Sequence, residues 1–213
     1  MPFTLNGIGT GYWGKRNIHK VPGSCESCGK SVALSSYDTR NCFVILFLPV
    51  IPLGRKRILN QCPACSRHQV VPLGKWNADR ERESGEALAA ARSRPDDPEA
   101  AAQALQTLIT YQDANGFAEA APAMETRHKQ HAEVLKVLGV GHEYFGNTEA
   151  AERAYRQALS VKNDPDARGL LAACLLRNGS LDQARPLIER NLAELREQAA
   201  GDVLALVRCY QAE

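Results

Sequence analysis

Cys25-Glu26-Ser27-Cys28-Gly29 and Cys62-Pro63-Ala64-Cys65-Ser66 are the two stretches that decide how the first part of this 213-residue chain folds. Two cysteines separated by two residues can bind one metal ion from a tight turn, and two such turns supply four sulfur ligands for tetrahedral Zn²⁺. A small residue after each second cysteine relieves crowding where the backbone turns around the sulfurs. The spacing predicts a structural Zn²⁺ bound by Cys25, Cys28, Cys62 and Cys65, with strands between the pairs.

Other uses of these cysteines fit the sequence less well. A redox-active pair, for which Cys25 and Cys28 are the candidates, needs a strand–helix context that neither pair has. Four thiolates leave no coordination position for a catalytic water, so a structural metal is favoured. Cys42 lies outside both pairs and is predicted to be a buried apolar residue. His68 follows Cys65 closely enough to replace a ligand, but four cysteines make it redundant.

Two further motifs accompany the cysteine pairs. Residues 7–16 (GIGTGYWGKR) precede the first pair, and residues 47–54 (FLPVIPLG) precede a basic cluster and the second pair. Together these motifs resemble a family of bacterial zinc-ribbon proteins over residues 3–75. The resemblance implies a Cys₄ zinc ribbon in a small β domain, in a family without an assigned reaction. The glycines of the first motif neither follow a strand nor begin a helix, so they do not predict a nucleotide-binding loop.

The rest of the chain has the composition of helices. Ala, Glu, Leu, Gln and Arg dominate, and apolar residues recur at the 3.6-residue spacing of a helix. Asp97-Pro98 and Asp164-Pro165 each place a capping carboxylate before a proline at the first helical position. Gly116, Gly146 and Gly179 recur at intervals of 30 and 33 residues, and each is predicted to lie in a turn between two helices. This pattern predicts an array of helix pairs.

The middle of the array resembles a tetratricopeptide repeat. Leu138-Gly139, Ala151, Tyr155 and Ala158 match the Leu-Gly, Ala, aromatic and Ala positions of that family, and Asp164-Pro165 follows. The small residues are predicted to let two helices approach, with Tyr155 filling the groove between them. The resemblance implies a groove that binds a protein or peptide partner.

The pattern in the helical part of the chain also predicts where the repeats begin and end. The repeat resemblance covers residues 98–198, and residues 201–213 are predicted to form a final capping helix.

Glu125, His128 and His131 have helix-face spacing, but a di-metal site would need a second ExxH motif, so a solvated face is predicted. No catalytic residue is predicted anywhere in the chain.

Charge divides the chain in the same place as composition does. Residues 1–77 contain ten Lys/Arg and two acidic residues (+8), whereas residues 78–213 contain sixteen Lys/Arg and twenty-two acidic residues (−6). We therefore predict an α+β chain, in which a small N-terminal β zinc ribbon precedes an all-α tetratricopeptide-like helical-repeat domain. The predicted limits are 1–77 for the ribbon, 78–97 for a connecting helix and linker, and 98–213 for the repeats and capping helix.

Residues 42–53 (CFVILFLPVIPL) form the longest apolar run. Twelve residues with two prolines are too few for a bilayer-spanning helix, which needs about 20. The run is predicted to form a buried strand pair or turn. The alternative is shallow insertion of residues 43–53 into a membrane surface, with Arg55, Lys56 and Arg57 facing anionic lipid. No secretory signal is recognisable, and metal-type cysteine pairs favour a cytoplasmic location.

The sequence thus predicts a non-enzymatic zinc-binding interaction or scaffold protein, with a protein or peptide partner and no small-molecule substrate. Nucleic-acid binding through the basic ribbon is possible but not favoured, because the acidic second half would repel phosphate. Peripheral membrane contact through residues 43–53 is a further alternative.

Overall fold

The N-terminal part of the chain forms a single antiparallel sheet. The computed structural model describes the backbone of residues 4–211 and the side chains of residues 4–197. Each strand pairs with the next one along the chain. The strands are β1 (Thr4–Leu5), β2 (Ile8–Ser24), β3 (Ser31–Ile45), β4 (Leu48–Gln61) and β5 (Gln69–Pro72). The predicted α+β class, with its β part first, is confirmed.

Successive strands are joined alternately at opposite ends of the sheet. Residues 25–30 join β2 to β3, and residues 62–68 join β4 to β5, so these two cysteine turns lie at one end. Asn6-Gly7 and Leu46-Phe47 form the turns at the other end. Because a strand rises about 3.3 Å per residue, the length of β3 separates the two ends by about 50 Å.

The longest apolar run forms the hairpin of β3 and β4, but most of it is exposed. Cys42 is buried, as the sequence predicts. The large apolar side chains between residues 45 and 53 are exposed, with Leu46 73% and Phe47 67% accessible. The prediction of a buried strand pair is therefore wrong for this end of the hairpin. A two-residue turn at the end of a single layer of strands has few neighbours that could cover it.

Seven helices follow in the part of the chain that the structure describes. They are α1 (Leu73–Ser93), α2 (Pro98–Thr110), α3 (Ala114–Arg127), α4 (Ala132–Tyr144), α5 (Thr148–Val161), α6 (Pro165–Arg177) and α7 (Leu181–Gln211). The chain divides into two compact units between Glu83 and Ser84, inside α1. The domain limits predicted from composition stay a prediction. Among the described helices, none is both long and apolar enough to cross a lipid bilayer.

Short polar side chains cap the N-termini of four helices. Asp97 and Asp164, each followed by a proline, accept hydrogen bonds from backbone N–H groups of α2 and α6, as the sequence predicts. Asp113 and Asn147 cap α3 and α5 in the same way. Each cap satisfies a donor that the first helical turn leaves unpaired, and such a cap is typically worth about 1 kcal/mol.

The turn inside each helix pair contains one residue with a left-handed backbone. These residues are Gln112 (φ +56°), Gly146 (φ +85°) and Gly179 (φ +77°), which recur at intervals of 34 and 33 positions. The prediction that Gly116 occupies the first of these turns is wrong, because Gly116 lies in the first turn of α3. A Cβ at this position would lie 2.7 Å from Asp113 Oδ2 and 2.8 Å from Leu108 Cδ2. Close packing therefore requires the glycine here, and Gln112 takes the turn position.

Helices α4 and α5 approach closely because a glycine faces an aromatic ring. Tyr155 of α5 is fully buried, and its ring covers Gly139 of α4, where an added Cβ would overlap the ring atoms. The alanines that were predicted to allow this approach are fully buried as well, namely Ala151 and Ala158. The predicted packing of this repeat is confirmed. A second contact of this kind, between Phe117 of α3 and Gly141 of α4, was not predicted.

Replacing Gly139 with alanine is expected to destabilise the helical unit by about 1–3 kcal/mol, because the added methyl group overlaps the Tyr155 ring. The matched control is Gly169→Ala in α6, where an added Cβ would meet only Asn191 Nδ2, at 3.7 Å. Because alanine favours helix more than glycine does, the control change is expected to stabilise by up to about 1 kcal/mol. Urea unfolding followed by helical circular dichroism measures both, and effects of the same sign would contradict the packing argument.

Helix α7 is longer than the sequence indicates. Residues 201–211, which were predicted to form a separate capping helix, continue α7 without a break, and residues 212–213 lie outside the described residues. Ala184 near the start of α7 is fully buried in a cluster with Tyr155 and Leu175. The beginning of α7 therefore completes the third helix pair.

Candidate metal centre and helical-repeat face

The two cysteine turns have the same backbone structure. In each, the N–H of the first cysteine, Cys25 or Cys62, donates to the carbonyl five residues later at 3.0 Å. The residue after the second cysteine, Gly29 or Ser66, donates to the carbonyl of the first cysteine at 2.8 or 2.9 Å. Both residues have a left-handed backbone, with φ of +68° and +58°. A small residue is favoured at this point because side chains are strained at positive φ.

The four predicted ligands meet at the end of the sheet where both cysteine turns lie. Their sulfur atoms all lie within 4.8 Å of one another, with 3.6 Å from Cys25 Sγ to Cys65 Sγ and 3.8 Å from Cys28 Sγ to Cys62 Sγ. Zn–S bonds of about 2.3 Å in a tetrahedron put neighbouring sulfurs about 3.8 Å apart. A disulfide would bring two sulfurs to about 2.05 Å. The separations therefore fit four ligands around one metal ion, and the cluster could hold one.

The surroundings of the sulfurs favour the thiolate form at one ligand. Backbone N–H groups of Cys28 and Ser27 donate toward the Cys25 sulfur and lower the pKa of this thiol to about 7. Hydrogen bonds to the charged form favour ionisation, and the thiolate is the form that binds a metal. Cys62 is fully buried and Cys25 nearly so. Cys28 and Cys65 are half-buried, so the turns shield the sulfurs in part, while their N–H groups supply donors to Cys25.

The two other candidate ligands are elsewhere. Cys42 is buried in β3, opposite Pro52 of β4, and does not join the cluster. His68 Nδ1 donates to the Ser66 carbonyl at 2.8 Å, so this nitrogen is engaged in the second cysteine turn. Among the described residues, the group that could hold a metal consists of the four paired cysteines.

The basic cluster Arg55-Lys56-Arg57 is divided between the surface and the interior of the sheet. Arg57 is buried, and its Nη1 donates to Asp38 Oδ1 of β3 at 2.8 Å. Asn17 Nδ2 donates to the other oxygen of the same carboxylate at 2.7 Å. Arg55 is exposed and Lys56 is half-buried. The prediction that all three basic residues face lipid is wrong for Arg57, because its charge is satisfied inside the sheet.

Two ion pairs on one side of the repeat array involve α4 and residues of α6 or its N-cap. Lys136 Nζ lies 2.6 Å from Oδ2 of Asp164, the N-cap of α6, and Glu143 pairs with Arg177 at the end of α6. Val140 lies between Lys136 and Glu143 on α4, because residues three and four apart share a helix face. Val140 is partly exposed. We call these side chains, together with the exposed Leu176 that precedes Arg177 on α6, the α4–α6 face: Lys136, Val140, Glu143, Leu176 and Arg177.

The charged groups of the α4–α6 face are fixed by their partners. The Lys136 ammonium group holds the pKa of Asp164 below its usual value. Burial, together with the neighbouring Glu143 carboxylate, raises the pKa of the Tyr155 hydroxyl. That hydroxyl donates to Glu143 Oε2 at 3.2 Å, while Arg177 binds the same carboxylate. The face therefore presents side chains whose positions are set before a partner binds.

A concave site lies among α1, α2 and α3. Its cavity of about 340 Å³ is lined by apolar side chains such as Leu88, Ala101 and Met124, and by His128. His128 is buried, so the prediction that it lies on a solvated helix face is wrong. Burial and the neighbouring His131 lower the pKa of His128, which favours the neutral imidazole.

Comparison with known proteins relates the helical part of the chain to the tetratricopeptide repeat. That family matches residues 145–207, which include α5, α6 and most of α7. Protein SULFUR DEFICIENCY-INDUCED 2 of Arabidopsis thaliana is 27% identical over 86 residues, which cover 40% of this chain and 28% of that protein. The chain thus spans about a quarter of the length of this curated relative.

Solved structures of MamA resemble the chain at low sequence identity. MamA MSR-1 C2 is 18% identical with a TM-score of 0.46, covering 58% of this chain and 71% of that one. A crystal structure of MamA is 17% identical with a TM-score of 0.47, covering 57% and 71%. The repeat part of the predicted fold is confirmed by the helix pairs together with the family match.

Proposed function

We propose that this chain is a non-enzymatic interaction protein, whose helical repeats bind a protein or peptide and whose cysteine turns hold a structural Zn²⁺. The observation that carries the proposal is the α4–α6 face, where exposed apolar residues lie beside ion pairs that connect consecutive repeats. Stacked helix pairs create extended binding surfaces of this kind. A peptide or helix that combines an apolar residue with charged flanks fits this chemistry.

The same contacts support binding rather than catalysis. Lys136 and Glu143, the charged residues that α4 contributes to this face, are each held by a partner from another helix or its cap. Groups fixed in this way give a surface its shape and charge pattern, and a partner is selected by complementarity to that pattern. We therefore assign no reaction to the face.

The proposal assigns Cys25, Cys28, Cys62 and Cys65 as the ligands of one structural Zn²⁺. Its support is the match between the sulfur separations of 3.6 and 3.8 Å and the edge of a zinc–thiolate tetrahedron, about 3.8 Å. Four thiolates complete the coordination sphere, so the metal would hold the two cysteine turns together without activating a substrate. Unoxidised thiols persist in the cytoplasm, which is the location we propose.

Crosslinking tests the repeat surface directly. A photoreactive amino acid at position 140 of the full chain is expected to crosslink a discrete partner in cells of the source organism. The control carries the same amino acid at position 181, because Leu181 is also exposed but begins α7. Adding Leu176→Arg is expected to lower the crosslink yield at position 140 by about fivefold or more, as loss of an interface anchor does.

Two outcomes of this crosslinking experiment would contradict the proposed surface. One is an equal yield of crosslinked partner at positions 140 and 181. The other is a yield at position 140 that Leu176→Arg leaves unchanged while the helical circular dichroism shows the variant to be folded.

A further inference from the structure

The hairpin of β3 and β4 ends in an exposed apolar tip that the repeat-binding proposal does not use. Leu46, Phe47 and Leu48 are each about two-thirds or more exposed, and Val50, Ile51 and Leu53 continue the apolar surface along β4. Leu5 and Ile8, from the adjoining turn of β1 and β2, are exposed at the same end. We call these side chains the hairpin tip: Leu5, Ile8, Ile45, Leu46, Phe47, Leu48, Val50, Ile51 and Leu53. A contiguous apolar surface of this kind marks an interaction site.

The turn itself is built from residues that local structure disfavours. Leu46 and Phe47 both have a left-handed backbone, with φ of +52° and +63°, in a two-residue hairpin turn. Both positive φ angles identify a type I′ turn, for which Asn-Gly is strongly preferred. Large apolar residues are strained in this conformation, and such strain clusters where function requires it. The strain and the exposure together indicate that the tip contacts something apolar.

A row of cationic and aromatic side chains follows the apolar surface. Trp13 of β2, Arg40 of β3 and Arg55 of β4 are directly opposite one another across the sheet, and all three are exposed. Together with Arg16 they line a shallow cavity of about 190 Å³. Asp38 also borders this cavity, but its charge is satisfied by buried Arg57. The cavity is therefore cationic and suited to a phosphate group.

The spacing along the strands matches the layers of a lipid leaflet. Arg40 lies five residues before Ile45, a separation of about 17 Å along β3. An apolar element at an interface inserts about 5–10 Å below the boundary of the acyl chains. At this depth the arginine row would lie roughly 7–12 Å above that boundary, within reach of the headgroups by its long side chains. Trp13, as an aromatic residue, suits the same interfacial layer.

Two prolines on the free edge of β4 argue against pairing of this edge with another strand. Strand β5 pairs only with residues 56–59 of β4, so the segment that carries the tip is an edge. Pro49 and Pro52 lie in this segment and have no N–H group to donate. Prolines on an edge strand disfavour strand addition, including pairing with a second copy of this chain. They also reduce the number of backbone donors that would be exposed to lipid.

We propose that the hairpin tip inserts into the surface of an anionic lipid bilayer, with Arg16, Arg40 and Arg55 binding headgroup phosphates. Charge complementarity selects this occupant, because residues 1–77 contain only two acidic residues. One of these, Asp38, is paired inside the sheet, and the other, Glu26, lies in a cysteine turn at the opposite end. At the tip end of the sheet, residues 1–77 therefore present no unpaired acidic side chain to an anionic surface. The site is separate from the α4–α6 face, so the two proposals can fail independently.

Vesicle flotation of the full, zinc-loaded chain tests the insertion. The chain is expected to float with vesicles of phosphatidylcholine and phosphatidylglycerol at 7:3, and much less with phosphatidylcholine alone. The double variant Leu46→Asn/Phe47→Gly is expected to lower vesicle binding at least about tenfold, because it removes two apolar side chains that insertion would bury in the bilayer. It also installs the preferred type I′ turn, so the hairpin is expected to fold at least as well as before.

The arginine row has its own matched pair of variants. Arg40→Gln/Arg55→Gln is expected to weaken binding to the anionic vesicles by about fivefold for each charge removed. The control, Lys20→Gln/Lys30→Gln, removes two exposed charges near the cysteine turns and is expected to have a much smaller effect. Equal losses in the two double variants would overturn the assignment of the headgroup site.

Three further results would overturn the insertion itself. The first is failure of the zinc-loaded chain to bind anionic vesicles. The second is equal binding by the chain and by the Leu46→Asn/Phe47→Gly variant. The third is self-association in sedimentation velocity that this variant abolishes while vesicle binding stays unchanged, since the tip would then be covered by a second copy of the chain.

Discussion

Removal of zinc from the full chain is expected to unfold the sheet of residues 4–72 while most of the helical circular dichroism remains. Each cysteine turn connects two strands of the sheet. A metal ion bound by all four cysteines would hold the two turns together. Apparent binding free energies of structural Zn²⁺ are about 10–16 kcal/mol in small zinc domains, which is more than such a sheet gains from its own packing. Loss of the metal is therefore expected to destabilise the sheet more than any single substitution does.

The two tryptophans make this result measurable, because Trp13 and Trp76 both lie in the first of the two compact units. Their emission should shift to longer wavelength on chelation, whereas ellipticity at 222 nm should change little. Cys62→Ser is expected to reproduce the shift and to lower the zinc content of the purified chain. Cys42→Ser is the matched control, because Cys42 is buried in the same sheet but lies outside the sulfur cluster.

A zinc content near one per chain in Cys62→Ser would contradict the assignment of the ligands. Simultaneous loss of tryptophan and helical signals on chelation would contradict independent folding of the two units. If Cys42→Ser lost zinc as completely as Cys62→Ser, the metal would depend on packing of the sheet in general rather than on the four sulfurs.

Asp38→Ala is expected to destabilise the zinc-loaded sheet by about 3–5 kcal/mol, the cost of leaving one member of a buried ion pair without its partner. The Asp38 carboxylate accepts from Arg57 at 2.8 Å and from Asn17 at 2.7 Å, and both donors would lose their acceptor. Urea unfolding followed by tryptophan emission, with zinc in excess, gives the free energy of unfolding.

Two controls separate this effect from a general sensitivity to lost charges. Asp79→Ala removes the acid of the exposed Arg82–Asp79 pair, and is expected to cost less than about 1 kcal/mol. Asp38→Leu/Arg57→Met replaces both members of the buried pair by apolar residues, and is expected to recover much of the stability lost in Asp38→Ala. A loss of less than about 1 kcal/mol in Asp38→Ala would show that the pair does not stabilise the sheet.

The candidate metal centre was predictable because its geometry is mostly local. A Cys-x-x-Cys spacing brings two sulfurs together within one turn, and the small residues Gly29 and Ser66 permit the left-handed backbone that the turn needs. In an antiparallel sheet, an even number of strands between two turns brings both turns to the same end, and β3 and β4 are the two strands here. The sequence therefore predicted all four residues that the structure brings together.

The helix pairs were predictable for the same reason, and the one error in their register is instructive. Capping by Asp97 and Asp164 depends on neighbouring residues, so it can be predicted from short motifs. The turn position in the first pair is taken by Gln112, which carries no turn signal, while Gly116 is required by packing against Leu108. In the sequence, a glycine required by packing against the preceding helix looks like a glycine required by a turn.

Residues 42–53 mark the limit of prediction from hydrophobicity. An apolar run predicts burial, because most apolar residues of a folded chain lie inside it. Here the run forms the far end of a long hairpin, where Leu46 and Phe47 have little around them to bury against. Whether an apolar strand is core or surface depends on what lies over it, and the strand's own residues do not encode that neighbour.

The sequence by itself determined the four cysteines of the sulfur cluster, the succession of strands and then helices, and the caps of α2 and α6, because each follows from residues close together in the chain. Only the tertiary structure decided which of the three adjacent residues in Arg55-Lys56-Arg57 are available to a partner. Arg55 and Arg57 are two positions apart and point to the same face of β4, so strand alternation does not separate them. Their cross-strand partners do: Arg57 lies opposite Asp38, 19 positions away, and is buried in an ion pair with it, whereas Arg55 lies opposite Arg40 and is exposed.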